Sequence, residues 1–252
     1  MTTDDRQTII NRYMKNVHGK KSDTTKFTAG HDGKEGHWLE IQMGVDPNGV
    51  NDADLMGYEM KNDTTSKTTF GDWSADYYIF KDDKYDLSKD DFLIIFGHPN
   101  PKKPGRHSWS GAPIPKINRV NSYGQKLVID EDKNILATYS FSKDQREDKT
   151  SLVPSECQTE NLTIARWDMD SLKGKLERKF NKKGWFKCLK DSDGKYSSIV
   201  FGSTIIYDNW IENVSKGDVF FDSGMYTGNP RLYSQWRANN SFWNNLVTDR
   251  FP

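Results

Sequence analysis

The chain has 252 residues, room for one large domain or two small ones. Lysine plus arginine and aspartate plus glutamate both number 36, so the net charge is zero and bulk electrostatics single out no partner. Mean hydropathy is low at −0.86, no apolar run could span a bilayer, and "MTTDDRQTII" lacks the basic-then-apolar order of a secretory leader; a membrane-spanning or secreted protein is disfavoured, and a cytoplasmic one is expected.

Along the chain, Ile9, Ile10, Tyr13, Met14 and Val17 recur at helical spacing and predict an amphipathic first helix. "TAGHDGKEG" reads as a loop, "GHWLEIQMG" as a short helix stopped by Gly44, and "VDPNGVND" as a turn-rich connector. "DLMGYEMKN" predicts a strand with Tyr58 and Met60 on one face and Glu59 and Lys61 on the other. "TTFGDWSADYYIF" predicts one or two more strands, and the continuous apolar run "DFLIIFG" a buried one. The proline- and glycine-rich stretch from His98 to Gly124 is expected as a long loop. "QKLVIDEDKNILATYSF" predicts a hairpin turning at Glu131 to Asn134. "DMDSLKGKLERKF" predicts a helix that starts near Asp168 or Asp170 and aligns Leu172, Leu176 and Phe180. "KYSSIVFGSTIIYDN" is strand-like, and "NSFWNNLV" is expected to close the chain as a helix. No βα unit repeats, so the class is a mixed α/β (α+β) fold. Eight Trp, eleven Tyr and thirteen Phe are expected to build the core. Cys157 and Cys188 have no metal or redox spacing and read as free structural thiols.

Charge is distributed unevenly. No acid occurs from Phe92 to Ile129, a segment holding Lys102, Lys103, Arg106, Lys116, Arg119 and Lys126. None occurs from Ser223 to Thr248, which holds Arg231 and Arg237. Such windows are the charge map of a cleft that takes a polyanion.

Asp54, Glu59 and Lys61 then form a candidate site. A carboxylate, one spacer and a lysine is common, and recurs at Asp32/Lys34, Asp82/Lys84, Glu131/Lys133, Glu147/Lys149, Glu177/Lys179 and Asp193/Lys195. Glu59 and Lys61 differ in lying on a predicted strand, with Asp54 five residues earlier across Gly57 and a helix carrying Glu40 upstream. Phosphodiester hydrolysis needs an attacking hydroxide and neutralisation of charge on the phosphoryl oxygens. A hard cation held by carboxylates can supply both, with a lysine orienting the water. The alternative is a surface salt-bridge ladder on an edge strand. It accounts for Glu59 and Lys61 but gives Glu40 and Asp54 no purpose.

"EGHWLEIQMGVDPNGVNDADLMGYEMKN" resembles the core of the PD-(D/E)XK nucleases, and most resembles the branch containing MutH, MvaI and BcnI. Gly36, Leu39, Glu40 and Gly44 match that branch's helix element, and Asp54, Gly57, Glu59 and Lys61 its strand element. Ala53 stands where the superfamily often has proline. The likeness covers about residues 34–70, strongly only to residue 62. It implies a restriction-endonuclease-like core, a central mixed sheet flanked by helices with recognition loops as a second lobe. The expected organisation is one nuclease domain over 1–252, catalytic core about 1–98 and second lobe about 99–252. It further implies Mg²⁺ held by Asp54 and Glu59, with Mn²⁺ able to substitute. Lys61 would serve the attacking water, Glu40 would be an auxiliary acid, Lys34 a phosphate contact, and the products would carry 5′-phosphates. It implies a monomer that acts on double-stranded DNA, with a cognate methyltransferase modifying the same site.

Reading a DNA sequence needs side chains that bond base edges. The two windows supply Lys102, Lys103, Arg106 and His107, then Arg231, Gln235 and Arg237. Any one of these cations more often meets phosphate than base. Trp109 and Trp236 are expected as core or loop anchors, and His18, His31 and His37 have no metal spacing. The leading expectation is a type II restriction endonuclease and the alternative a MutH-like strand-nicking repair endonuclease. A non-catalytic DNA-binding module and a sugar-directed protein rank below them.

Overall fold

The protein is described by a computed structural model at residues 2–25, 27, 33–45 and 51–252. Residues 28–32 of the expected loop, His31 among them, and 46–50 of the expected connector lie outside the described residues.

In chain order the elements are α1 (Thr2–Asn16), α2 (Lys34–Met43), β1 (Glu59–Asn62), β2 (Lys67–Asp72), β3 (Tyr77–Tyr78), α3 (Lys89–Phe96), β4 (His98–Pro99), β5 (His107–Trp109), β6 (Tyr123–Ile129), β7 (Ile135–Asp144), α4 (Lys149–Leu152), β8 (Leu162–Trp167), α5 (Met169–Phe180), β9 (Trp185–Lys190), β10 (Tyr196–Gly202), α6 (Tyr207–Lys216), β11 (Val219–Ser223), β12 (Met225–Tyr226), β13 (Ser234–Asn239), α7 (Asn240–Asn245) and β14 (Val247–Phe251). They gather into two compact units. One comprises Met1–Thr68, Lys175–Ile206 and Asn239–Pro252, the other Thr69–Gly174 and Tyr207–Ala238. β9, β10 and β14, all late in the chain, complete the sheet that β1 begins.

In the first unit that sheet runs β1-β9-β10-β14. β1 lies parallel to β9, and the other pairs are antiparallel. Met60, Phe186, Cys188, Ile199 and Phe201 bury one face against Ile9, Tyr13 and Val17 of α1 and its end and Leu39 and Met43 of α2. Side chains alternate across a strand, so Glu59 and Lys61 stand on the other face, beside their register partners Trp185 and Lys187. Phe180 of α5 and Trp243 of α7 pack there, with Trp185 and Trp243 at 5.1 Å. Helices thus cover both faces of a mixed sheet. The amphipathic first helix and the helix stopped by Gly44, which adopts φ 70, are as the sequence predicts.

The second unit holds the antiparallel sheet β3-β8-β7-β6, the sheet β11-β13-β2 and the small sheet β12-β5-β4. Its core is aromatic: Trp167, Phe221, Trp236, Trp210 and Trp109 are buried and in ring contact. Trp109 and Trp236 are anchors, as expected. Cys157 and Cys188 are free and buried.

Three expectations are corrected. "DFLIIFG" lies in a helix, not a strand. Ser88 accepts from the Asp91 amide while the Asp91 carboxylate accepts from the Ser88 amide, a capping box that opens α3. Phe92, Leu93, Ile95 and Phe96 are buried at helical spacing. The strand expected over Asp54 to Asn62 is a tight turn followed by four strand residues. The chain ends in β14 rather than in a helix, because Val247 to Phe251 pair with β10. The long loop from His98 also contains β4 and β5, paired to each other. Among the described residues, no helix is long and apolar enough to cross a membrane.

Candidate active site

The site begins with a two-residue turn. Leu55 and Tyr58 exchange backbone hydrogen bonds at 3.0 and 2.9 Å around Met56 (φ 52) and Gly57 (φ 85). Two successive positive φ values are the signature of the type I′ hairpin turn, and glycine takes the second position without steric cost. The reversal returns Asp54 alongside β1, where its Oδ2 accepts from the Met60 amide at 2.9 Å. β1 is an edge strand, so Asp54 satisfies an amide that no neighbouring strand reaches. The turn at Gly57 is what joins Asp54 to Glu59.

Glu59 is 2% exposed. Its Oε1 accepts from Lys61 Nζ at 2.8 Å and from Lys179 Nζ at 2.9 Å, while its Oε2 is buried without a hydrogen-bond partner. Lys61 lies over the Phe180 ring at 5.2 Å. Burial, and then the neighbouring Glu59 charge, push the Asp54 carboxyl up to about 6, against the pull of both lysines and the Met60 amide. Burial pushes the Lys61 ammonium down toward its neutral form, and Glu59 opposes it. Two carboxylates that repel each other, one with a bare buried oxygen, fit a hard cation. Mg²⁺ is commonly held by one or two carboxylates, with water and substrate phosphate completing its shell.

Glu40 stands apart from this group. Its Oε2 lies 3.3 Å from His37 Nδ1 and its side chain is 37% exposed. Trp38, Leu39 and Met43 turn one face of α2 into the core, and Glu40, a third of a turn on from Leu39, points elsewhere. Among the described residues no three histidine, cysteine, aspartate or glutamate side chains stand close enough to hold a cation. Lys34 opens α2 and is partly exposed.

Two residues here escape the sequence reading. Lys179 looks in sequence like another acid–spacer–lysine, yet it bonds Glu59. Lys187, 2% exposed on β9 beside Lys61, reaches Thr68 Oγ1 and Asn240 Oδ1 at 3.3 Å and Asp63 at 3.5 Å. Burial pushes its ammonium down.

With this geometry in view, residues 17–251 match the family described as LlaMI restriction endonuclease. The chain belongs to that family. It is 47% identical over 264 aligned residues to the type II restriction enzyme ScrFI of Lactococcus lactis subsp. cremoris, the alignment covering 97% of each. Its backbone is similar to restriction endonuclease MvaI in complex with its cognate DNA substrate, with a TM-score of 0.59 over 98% of this chain and 95% of that one. Identity there is 14%, so this second likeness is one of fold. As a LlaMI-family protein the chain is a type II restriction endonuclease, hence a hydrolase, and a relative of ScrFI.

In this LlaMI-family enzyme the two acid-free windows meet. β5 pairs with β12, Trp109 opposite Met225 and Ser108 opposite Tyr226. The Arg106 guanidinium stacks on the Tyr226 ring at 3.5 Å, and His107 and Thr227 exchange hydrogen bonds at 3.0 and 3.1 Å. Lys89 bonds the carbonyls of Tyr226 and Asn229, fastening the second window to the start of α3. Lys102 and Lys103 lie exposed in the turn between β4 and β5. Arg231 and Arg237 are already engaged. Arg231 bonds Asp72 at 2.9 Å and stacks on Tyr233, and Arg237 bonds Asp222 at 2.9 Å and Gln235 Oε1. A window without acids in sequence is therefore not without acids in space.

Proposed function

We propose that the protein is a Mg²⁺-dependent enzyme that hydrolyses phosphodiester bonds at a short specific site in duplex DNA and leaves 5′-phosphates, with Mn²⁺ able to replace Mg²⁺. The observation that carries this reading is Glu59, gripped by two lysines at one oxygen and bare at the other, beside Asp54. Asp54 and Glu59 would hold the cation, which when bound supplies an acidified water and charge neutralisation at the phosphate. Lys61 would orient the attacking water and offset the charge that develops on the phosphoryl oxygens. Lys34 and Glu40 are kept as a phosphate contact and an auxiliary acid at the margin of the site. The enzyme would act as a cytoplasmic monomer whose cognate methyltransferase modifies the same DNA site. The full-length relation to a type II restriction enzyme supports self-sufficient cutting over partner-dependent nicking.

Digestion of phage and plasmid DNA by the purified protein is the direct test. With Mg²⁺, discrete fragments are expected. Circles that are only nicked would favour the strand-nicking alternative, and a gel shift with intact DNA would overturn hydrolysis. With Ca²⁺ alone, specific binding without cutting is expected, because a larger ion with a looser shell fills the carboxylate site without the octahedral geometry Mg²⁺ imposes on its water. Efficient cleavage in Ca²⁺ would contradict the metal assignment.

The joined windows are read as the DNA-recognition surface. Lys102→Ala and Lys103→Ala should weaken binding to every sequence and reduce the slope of log affinity against log salt by about 0.9 each, one phosphate contact apiece. Arg106→Ala and His107→Ala should instead lose discrimination at one base pair, by roughly 1–3 kcal/mol, since stacking on Tyr226 presets the Arg106 fork. Arg231, Gln235 and Arg237, with internal partners, should act more through the shape of β13 and its loop. Cleavage of cognate and one-base-altered duplexes at two salt concentrations separates these classes. Wild-type behaviour throughout would remove the windows from the recognition surface.

A further inference from the structure

Glu59 carries an asymmetry that holding a cation does not by itself require. Lys61, its first partner, comes from two residues along the same strand. Lys179, its second, comes from the last turn of α5, 120 residues away, and its ammonium is 2.9 Å from the same oxygen, Oε1. The two lysines bring the formal charge of Asp54, Glu59, Lys61 and Lys179 together to zero. A divalent cation added to that set would leave two uncompensated positive charges in a buried space, where like charges a few ångströms apart repel far more than in water. Withdrawal of one ammonium relieves part of that excess. Lys61 is set on a strand, lies over the Phe180 ring and is 12% exposed. Lys179 comes from the last turn of α5 and is 17% exposed, slightly more than Lys61.

We propose that Lys179 is a positioning residue that serves as an internal counter-cation of the active site, holding Glu59 by Oε1 in the metal-free enzyme and releasing it when a divalent cation enters. The inference rests on the reading of Asp54 and Glu59 as the cation's carboxylates. Lys179 competes with the cation for Glu59, so it keeps the affinity of the DNA-free enzyme low. A DNA phosphate then tips the balance twice, by adding an oxygen to the cation's shell and by offering the released ammonium a new anion.

Mn²⁺ binding without DNA, followed by loss of the free-ion electron paramagnetic resonance signal, tests this on the full chain. Lys179→Met should bind Mn²⁺ roughly tenfold more tightly than wild type, and Lys179→Gln likewise should a methionine there prevent folding. Lys179→Arg retains the charge and should stay near the wild-type value. The rise in Tm on adding Mn²⁺ should be larger for the neutral variants than for wild type, through linkage. A lysine that merely braces α5 would lower Tm equally with and without the ion and leave the affinity unchanged, and that result overturns the proposal. Asp54→Asn and Glu59→Gln distinguish the two levels of failure. If they weaken Mn²⁺ binding while Lys179→Met leaves it unchanged, the counter-cation fails and the carboxylate site stands. If they bind as wild type does, the carboxylate site fails and the counter-cation with it.

Discussion

Asp54→Ala, Glu59→Gln and Lys61→Ala should each abolish cleavage while leaving DNA binding largely intact. Losing a carboxylate proposed to hold the cation would forfeit several kcal/mol of charge stabilisation in the transition state, which at about 1.4 kcal/mol per decade is about 10³-fold or more in rate. Losing Lys61 would remove the group proposed to position water and offset charge, an effect of roughly 10²–10⁴-fold. Binding persists because the phosphate contacts assigned to Lys102 and Lys103 are made elsewhere. Glutamine is the informative change at residue 59. Alanine would strand Lys61 and Lys179 together in a buried site, and lost folding would then imitate lost chemistry. Glu40→Ala should cost less than any of the three, since its side chain lies beside His37 and is 37% exposed, whereas Glu59 is buried. Single-turnover cleavage with Mg²⁺ and gel shifts with Ca²⁺, each variant first checked for folding, give the comparison. Near wild-type cutting by any of the three would end the site assignment, and a loss at Glu40 equal to that at Glu59 would place α2 in the chemistry.

What could be read in the sequence was what depends on neighbours in the chain. Asp54, Glu59 and Lys61 lie within eight residues, and the glycine that brings them together lies among them. The first helix, the Gly44 stop and the helix aligning Leu172, Leu176 and Phe180 declare themselves through 3.6-residue spacing. The misreading of "DFLIIFG" shows the limit of that signal. A short apolar run suits a buried strand or a buried helix, and what decides between them, the capping pair Ser88 and Asp91, lies just before the run and within it.

What could not be read was tertiary. Nothing separates Lys179 from the other lysines that follow an acid by two positions until α5 packs over β1. Lys187 becomes a neighbour of Lys61 only because β9 pairs in parallel with β1. Similarly, Arg231 and Arg237 sit in a stretch without acids, but Asp72 and Asp222 reach them from β2 and β11. Charge counted along a chain reports on solvent-exposed loops such as that of Lys102 and Lys103. Inside a sheet the partner comes from the neighbouring strand: Asp222 stands opposite Gln235 and meets Arg237 on the diagonal.

The largest stability effect is expected at Asp144, which is no part of the proposed site. Its buried side chain accepts from Arg146 Nε at 3.0 Å and Nη2 at 2.6 Å and from the Tyr139 hydroxyl at 2.9 Å. Arg146 Nη1 donates to the Ile95 carbonyl, and Gln125 donates to that of Phe96 while accepting from the Trp109 indole. Carbonyls in the last turn of α3 lack helical partners, so this network closes the helix and fastens it to β6, β7 and β5, the strand that carries His107. Asp144→Ala leaves a largely buried guanidinium uncompensated and should cost about 3–5 kcal/mol. Burial by itself would raise the Asp144 carboxyl, but the Arg146 hydrogen bonds outweigh it and hold it below the usual carboxylate range. A carboxyl depressed by folding contributes stability that is fully present above its unfolded value, near 3.9, and is lost as pH falls through the folded value. The contribution is therefore intact at neutral pH and fades only below about pH 4. Urea midpoints from pH 7 to pH 3 should show wild type losing stability at the acid end and Asp144→Asn, weaker throughout, losing less there. Cleavage per folded molecule at neutral pH should be unchanged. A variant as stable as wild type, or one folded but inactive, would show that this ion pair does something other than hold α3 and the strands of its unit in place.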